Sequence, residues 1–161
     1  MNEEYKTYPD NAKVWIYQAA THLDNDDIAF LKVEIDDFIN SWESHGSMLK
    51  ADFDILYNLF VVFFVDEEGA TMCGRAQDAS VNLMKKMEEQ LETEFLNRMN
   101  LAYLNNDKAI PVKMEDFGRL IEEGTIADNT LVFNNTITTK REFDTIFKAP
   151  LKDSWQAQLK A

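Results

Sequence analysis

The stretch from Ala51 to Asp66, ADFDILYNLFVVFFVD, constrains the fold more than any other part of this chain. Its second half is apolar on both of its alternating faces, which predicts a buried strand with cover on each side. Its first half alternates apolar residues with Asp52 and Asp54, a pattern typical of a half-exposed neighbouring strand. We therefore predict a β-hairpin that turns near Asn58.

The elements around this hairpin follow the order strand, helix, strand, strand, helix, strand. Residues 13–20 should form the first strand, and Asp24 should cap a helix that ends near Gly46. A second helix should begin after Gly74, and a further strand should cover residues 98–104. This is the split βαβ order of ferredoxin-like domains, which places both helices on one face of an antiparallel sheet.

We predict one α+β domain over residues 1–161, in which a ferredoxin-like βαββαβ core (1–104) carries a C-terminal extension of strands and short helices (105–161). The extension is expected to hold an edge strand with Pro111, a short helix closed by Gly124, a strand over 130–138, a helix capped by Thr139 and ended by Pro150, and a tail docked through Trp155 and Leu159. The second face of the sheet should be covered by this extension or by a second subunit.

The chain is strongly acidic, with 29 Asp and Glu residues against 16 Lys and Arg residues and a net charge of -13. This charge opposes non-specific binding to nucleic acid and to anionic membranes, so we expect neither partner. The single cysteine, Cys73, cannot form an internal disulfide, and the amino terminus lacks the apolar core of a signal peptide. The run from Leu59 to Val65 is too short to span a bilayer. We therefore expect a cytoplasmic protein without direct membrane insertion.

One segment has the composition of a reactive or anion-binding site, at the start of the predicted second helix: Cys73, Gly74, Arg75, Gln77 and Asp78. The first turn of a helix presents unpaired amide donors and a partial positive charge, which bind anions and lower the pKa of a thiol. Arg75 would add to both effects. The alternative is structural: Gly74 forms a turn, Asp78 caps first-turn amides, and Cys73 is a small buried apolar residue.

Two further groups of residues are candidates for a ligand site. His45, close to Trp42, could act as an acid or base near neutral pH, or it could simply cap a helix. Trp15, Tyr17 and Trp42 form a candidate aromatic face, with core or subunit packing as the alternative.

Metal ligands are sparse in this sequence. Two histidines, His22 and His45, and one cysteine give no transition-metal spacing, so we expect no metal site and no cofactor. The acidic groups at 24–27 and 66–68 lack the ligand order of a calcium loop. We interpret them as solvated turns.

Short segments spread over nearly the whole chain carry a resemblance to a known family. They are Tyr8-Pro9-Asp10, Val14-Trp15-Ile16-Tyr17-Gln18, Trp42 with His45-Gly46, Tyr57-Asn58 with Phe60, Gly74 with Asp78-Ala79-Ser80-Val81, Val132-Phe133-Asn134-Asn135 and Ser154-Trp155. In these segments the chain resembles uncharacterised cytoplasmic proteins of Bacteroidetes bacteria, which often carry the automatic label "ABC transporter ATPase". Relatives in that family have a cysteine directly after the glycine that matches Gly74, whereas this chain has Arg75 there. The label does not fit the sequence, because the chain has no glycine-rich Lys-Ser/Thr phosphate loop.

The sequence leaves two functions open. The leading hypothesis is a non-catalytic binding or interaction protein, expected to be a homodimer, in which an aromatic sheet face or cleft receives a small molecule or partner. The alternative is a small enzyme that holds an anionic substrate at the start of the second helix, with Arg75 and His45 as helpers. Convergence of Cys73, Arg75 and His45 in one cleft would favour the enzyme.

Overall fold

The computed structural model describes residues 3–160 and combines helices with antiparallel sheets, as predicted for an α+β protein. Its strands are β1 (Lys13–Gln18), β2 (Glu43–Ser44), β3 (Ser47–Met48), β4 (Lys50–Leu56), β5 (Phe60–Asp66), β6 (Asn100–Asn105), β7 (Lys108–Lys113), β8 (Leu131–Phe133) and β9 (Lys148–Pro150). Its α-helices are α1 (Asn25–Asn40), α2 (Gly74–Leu91), α3 (Met114–Glu122) and α4 (Lys140–Thr145). Short 3-10 helices cover Glu4–Thr7, Leu151–Asp153 and Trp155–Leu159.

Strand β5 is the centre of a three-stranded antiparallel sheet with the order β1-β5-β4, which we call sheet 1. All 7 residues of β5 are buried, which confirms the strand predicted from its two apolar faces. The hairpin from β4 to β5 turns at Tyr57 and Asn58, whose φ angles of 56° and 53° are left-handed. Two consecutive positive φ angles match the twist of paired strands, so the turn predicted near Asn58 is confirmed.

One face of sheet 1 is centred on Phe63 and is covered by α1 and α2. Phe38 of α1 makes an edge contact with Phe63, with ring centroids 6.4 Å apart. Tyr17 of β1 lies on the same face, 5.7 Å from the Phe63 ring, and Trp42, which also contacts Phe63, donates through Nε1 to the Ala76 carbonyl of α2 at 2.9 Å. Both helices therefore lie on one face of the sheet, as the predicted order of elements requires.

The opposite face of sheet 1 is covered by the two ends of the chain. Tyr5, from the N-terminal arm, stacks on Phe64 with ring centroids 4.0 Å apart. Phe60 contacts Phe133 and Phe147 at centroid distances of 4.8 and 5.3 Å. Of the two covers that the sequence left open, the C-terminal extension takes this place, and the N-terminal arm completes it.

Asp52 and Asp54 point to this covered face, so the prediction of a half-exposed β4 is wrong. Their exposed fractions are 6% and 7%. The amide of Tyr5 donates to Oδ2 of Asp52 at 3.1 Å, and the Tyr5 hydroxyl donates to Oδ2 of Asp54 at 2.5 Å. Apolar and polar residues do alternate along β4, as predicted. Its polar side is buried nevertheless, because Tyr5 supplies hydrogen-bond donors to both carboxylates.

A second antiparallel sheet, sheet 2, has four strands in the order β7-β6-β8-β9. Strand β7 carries Pro111 and lies at its edge, as predicted. The tail also docks as predicted, since Trp155 and Leu159 pack against the small core of this sheet. That core contains Leu101, Phe117, Ile126, Val132 and Leu151.

The last strand of the predicted βαββαβ core does not join sheet 1. Strand β6 pairs with β7 and β8, and the free edge of β1 meets a later segment, where the Val14 amide donates to the Thr138 carbonyl at 3.0 Å. Between the two sheets, Nε2 of Gln18 donates to the Leu101 carbonyl at 2.7 Å. The four-stranded sheet of a ferredoxin-like core is therefore not confirmed, although the order of the first elements and the side occupied by both helices agree with it.

The end of the first helix differs from its prediction. Helix α1 begins as predicted, with a capping box between Asp24 and Asp27, but it ends at Asn40. Gly46 instead forms the turn of the β2-β3 hairpin together with His45, at φ angles of 79° and 53°. A glycine after a helix and a glycine in a two-residue turn both need a positive φ, so the local sequence does not separate them.

Two C-terminal boundaries also differ. Strand β8 stops at Phe133, although a strand was predicted over 130–138. Helix α4 ends at Thr145, and Pro150 belongs to β9. The short strand β9 pairs with β8, and such tertiary pairing overrides weak local preference. Within residues 3–160 no helix is long and apolar enough to cross a membrane.

Candidate functional site

An open groove of about 510 Å³ lies between the β4-β5 turn and the segment from α4 to β9. Its floor is apolar and consists of Ile55, Leu56, Phe133, Phe143 and Phe147. Its rim is polar and consists of Tyr57, Asp144, Thr145 and Lys148. This volume and this division into an apolar floor and a few polar groups are typical of small-molecule sites. We call this site the groove.

The floor of the groove is continuous with the core that covers sheet 1. Phe143 stacks on Phe147, with ring centroids 5.4 Å apart and an interplanar angle of 20°. Phe143 also makes an edge contact with Phe64 of β5 at 5.1 Å, and Phe147 lies 5.4 Å from the Phe133 ring. These contacts hold the floor in place, so the groove does not depend on a ligand to form.

The rim joins two distant parts of the chain through Tyr57 and Lys148. Nζ of Lys148 donates to the Tyr57 hydroxyl at 2.9 Å and lies 5.6 Å from the centre of the Tyr57 ring. Tyr57 has a left-handed backbone, with φ of 56°. A bulky residue in this region costs on the order of 1–3 kcal/mol, and such strain clusters at ligand clamps and active sites.

The two charged residues of the rim differ in their partners. Oδ2 of Asp144 accepts from Nζ of Lys140 at 2.7 Å, so this carboxylate is already paired within α4. Lys148 has no carboxylate partner among residues 3–160. The uncompensated charge at the mouth of the groove is therefore positive, in a chain whose net charge is -13.

The second candidate site, around Cys73, brings together part of the predicted set. Cys73 is the half-buried N-cap of α2, and its thiol lies against the β2-β3 hairpin. The Ser44 hydroxyl, followed by the amides of Ala76, Arg75 and His45, holds the pKa of the Cys73 thiol below its ordinary value, although burial opposes this shift. The sequence missed Ser44, whose buried hydroxyl reaches both the thiol and the Thr71 carbonyl. Its single proton serves one acceptor at a time, so it lowers the pKa of the thiol only when it turns from Thr71 to the thiolate.

The other residues of this predicted site contribute less. Arg75, Gln77 and Asp78 are exposed, and no hydrogen bond among residues 3–160 joins the Arg75 guanidinium or the His45 imidazole to the thiol. The first turn of α2 contains no acidic residue, because Asp78 lies beyond it. The predicted capping of first-turn amides by Asp78 is therefore wrong. Of Arg75 and His45, only the backbone amides approach the Cys73 thiol. Gly74 is exposed and is the first residue of the helix.

The predicted aromatic face lies beneath the helices. Trp15 and Trp42 come together, with ring centroids 6.5 Å apart, but Trp42 and Tyr17 are 3% and 7% exposed. Nε1 of Trp42 donates to the Ala76 carbonyl of α2 at 2.9 Å, which fixes the indole under that helix. These rings form the interface between sheet 1 and its helices, in agreement with the core-packing alternative.

Residues 3–160 contain no group of three or more His, Cys, Asp or Glu side chains that could hold a metal ion. Asp66 is 3% exposed, accepts from the Glu68 amide at 3.0 Å and pairs with Lys50 at 3.4 Å. The interpretation of Asp66 as a solvated turn acid is therefore wrong. His22 lies 2.6 Å from the Ala109 carbonyl through Nε2, which ties the loop after β1 to β7.

The sequence prediction missed the groove because its parts are far apart along the chain. Tyr57 and Lys148 are separated by 91 positions, and no local pattern relates them. Phe143 and Phe147 fall within the helix predicted between Thr139 and Pro150, and nothing in that segment relates them to Tyr57. The one local signal is Tyr57 before Asn58, since tyrosine is an unusual residue in a turn that needs two positive φ angles.

Comparisons of the chain with protein-family models, with curated proteins and with solved structures give no match. The resemblance to Bacteroidetes proteins therefore stays a prediction, and the function has to be argued from the geometry of the two sites.

Proposed function

We propose that this protein is a non-catalytic binding protein whose groove holds a small molecule with an apolar body. The observation that carries this proposal is an apolar floor, built from core aromatic rings, that opens to solvent beneath a polar rim. Burial of apolar surface supplies the affinity, and the few polar rim groups orient the ligand.

The test is titration with N-phenyl-1-naphthylamine, a neutral fluorophore whose emission rises in apolar surroundings. We expect saturable binding with one site per chain. Thr145 is exposed on the rim, so Thr145→Trp would fill the groove from outside without removing a core side chain. This variant should abolish the fluorescence increase.

The matched control is Thr125→Trp, which places the same side chain at another exposed threonine, away from the groove. It should bind the fluorophore as the original chain does. If the original chain shows no saturable signal, or if both variants bind equally, the groove is not a ligand site.

A second candidate function, thiol chemistry at the start of α2, is favoured by one specific observation. The lowered pKa of Cys73 has a visible cause in the Ser44 hydroxyl and neighbouring amides. We rank it second because neither the His45 imidazole nor the Arg75 guanidinium is placed as an acid, base or anion ligand beside the thiol. The pH dependence of Cys73 alkylation by iodoacetamide tests the reactivity of this thiol.

The predicted homodimer stays a prediction and belongs to this proposal. Among residues 3–160, four large apolar side chains are the most exposed and lie on separate elements: Val33, Met48, Met99 and Ile146. Of these, Ile146 is next in sequence to two residues that line the groove, Thr145 and Phe147, but is not itself part of the lining. Sedimentation velocity over a range of concentrations measures the oligomeric state directly.

A further inference from the structure

The mouth of the groove presents hydrogen-bond donors for which residues 3–160 supply no acceptor. Nζ of Lys148 carries three protons and gives one to the Tyr57 hydroxyl. Because the Tyr57 oxygen accepts in that bond, its own proton is free to donate. The two donor atoms lie 2.9 Å apart, close enough for both to reach one acceptor group.

The charges around the mouth of the groove favour a ligand whose hydrogen-bond acceptor group is negatively charged. Lys148 has no carboxylate partner among the described residues, whereas Asp144 is paired with Lys140 at 2.7 Å. A cationic ligand would meet the Lys148 ammonium and would compete with Lys140 for Asp144. An anionic ligand gains an ion pair with Lys148 that residues 3–160 do not supply, and one ammonium group compensates one negative charge better than two.

The floor of the groove determines the chemistry of the rest of the ligand. Phe133, Phe143 and Phe147 offer ring surface without a polar side-chain atom, so the part of a ligand that rests on them must be apolar. The remaining polar rim group, the Thr145 hydroxyl, already donates to the Arg141 carbonyl at 2.7 Å. The side-chain donors on the rim that remain for an acceptor group of a ligand are thus those at the end of the groove near Lys148.

We infer that the groove takes a monocarboxylate with an apolar body, whose carboxylate accepts from Nζ of Lys148 and the hydroxyl of Tyr57 while its body lies on the phenylalanine floor. This inference rests on the proposed function and adds the charge and the orientation of the ligand. Both aliphatic and aromatic acids have this chemistry.

The experiment compares acids with the matching neutral alcohols by displacement of N-phenyl-1-naphthylamine. The pairs are decanoate with 1-decanol and 4-phenylbutyrate with 4-phenylbutanol, each below its aggregation concentration. We expect each acid to bind about tenfold to a hundredfold more tightly than its alcohol, the range of a hydrogen bond to a charged group. The acid that binds more tightly shows whether the floor prefers an aliphatic or an aromatic body.

The variant Lys148→Met keeps the apolar stem and removes the charge. It should reduce the affinity for each acid to that for the matching alcohol, and the affinity for the alcohol should not change. Tyr57→Phe should cause a smaller loss of affinity, for the acid alone. Lys152→Met, at an exposed lysine outside the groove, is the control and should change neither affinity. Thermal melting confirms that each variant is folded.

The outcomes separate the two proposals. If neither the fluorophore nor any acid or alcohol binds, the proposed function fails. If the fluorophore binds but acids and alcohols compete equally, or if Lys148→Met weakens both to the same extent, the groove stands and the monocarboxylate inference is overturned. A tighter complex with decyl phosphate than with decanoate would also overturn it.

Discussion

The hydroxyl of Tyr5 lies 2.5 Å from Oδ2 of Asp54, and it is the link that closes the polar side of β4. The neighbouring Asp52 receives the backbone amide of the same tyrosine. Tyr8, the next tyrosine of the N-terminal arm, is equally buried, at 5% exposure, but its hydroxyl has no hydrogen-bond partner among residues 3–160. One arm thus presents two buried tyrosines, of which one binds a carboxylate and the other does not.

We expect Tyr5→Phe to lower the free energy of unfolding by about 1–3 kcal/mol, because it leaves Oδ2 of the buried Asp54 without its donor, while Oδ1 keeps the Ile55 amide. Tyr8→Phe is the matched control and should be neutral or slightly stabilising, since it removes a buried hydroxyl that makes no bond. Urea denaturation of both variants measures the difference. Equal losses would mean that the two hydroxyls have equivalent surroundings.

Alkaline pH should destabilise the protein through its buried tyrosines. Burial, and for Tyr5 also the hydrogen bond to Asp54, raises the pKa of Tyr5, Tyr8 and Tyr17 above the ordinary value. Because the folded state has the higher pKa, this stabilisation is complete below the unfolded pKa of about 10 and is lost as the pH rises through the folded pKa. We expect these rings to ionise together with loss of structure. Full tyrosinate absorbance in a protein that keeps its circular dichroism would contradict this.

Phe63→Ala should lower the free energy of unfolding by roughly 3–5 kcal/mol. Phe63 is fully buried in the central strand, and its ring contacts Tyr17, Phe38 and Trp42. Met48→Ala, at a methionine that is 51% exposed, is the control and should cost far less. A loss below about 1 kcal/mol for Phe63→Ala in chemical denaturation would show that β5 is not the centre of the core.

The rate of Cys73 alkylation by iodoacetamide should rise with pH around a midpoint below that of an ordinary thiol. The Ser44 hydroxyl is the main cause of the lowered pKa, so Ser44→Ala should move the midpoint upward. Arg75→Ala should change it little, because the backbone amide of Arg75, and not its guanidinium, contacts the thiol. A larger shift from Arg75→Ala than from Ser44→Ala would reverse this assignment.

The sequence predicted the elements with strong local patterns. The two apolar faces of β5, the Asp24 N-cap of α1 and the turn at Asn58 each depend on residues a few positions apart, and all three are confirmed. The burial of Asp52 and Asp54 could not be predicted in this way, because the residue that covers them, Tyr5, is 47 and 49 positions away. Alternation shows that β4 has a polar side but does not show what lies on it.

The placement of β6 was missed for a similar physical reason. Its length and composition suit a strand in either sheet, and the choice depends on competing partners. Residues 138–139 take the free edge of β1, and β7 offers β6 an immediate hairpin partner across the turn at Asn106. Local pairing closes a short loop at low entropic cost, so it prevails over the long-range pairing of a ferredoxin-like sheet.

The two candidate sites also differ in whether their residues are close together or far apart in the sequence. The segment from Cys73 to Asp78 was identified because its residues are adjacent, and the structure keeps the thiol there while leaving Arg75 exposed. The groove was missed because Tyr57 and Lys148 meet only after the C-terminal segment has folded over sheet 1. Residue type indicates which groups can react, whereas tertiary contacts decide which of them share a surface.

The cover of sheet 1 by both ends of the chain has a consequence for its biosynthesis. Tyr5 leaves the ribosome long before Phe133 and Phe147, which cover Phe60. The nascent chain can place α1 and α2 on one side of the sheet while the other side still exposes apolar rings. Such intermediates are prone to aggregation and are what chaperones protect. Completion of this core therefore waits until Phe133 and Phe147 have left the ribosome, and a chain that terminates before Phe133 should require a chaperone to remain in solution.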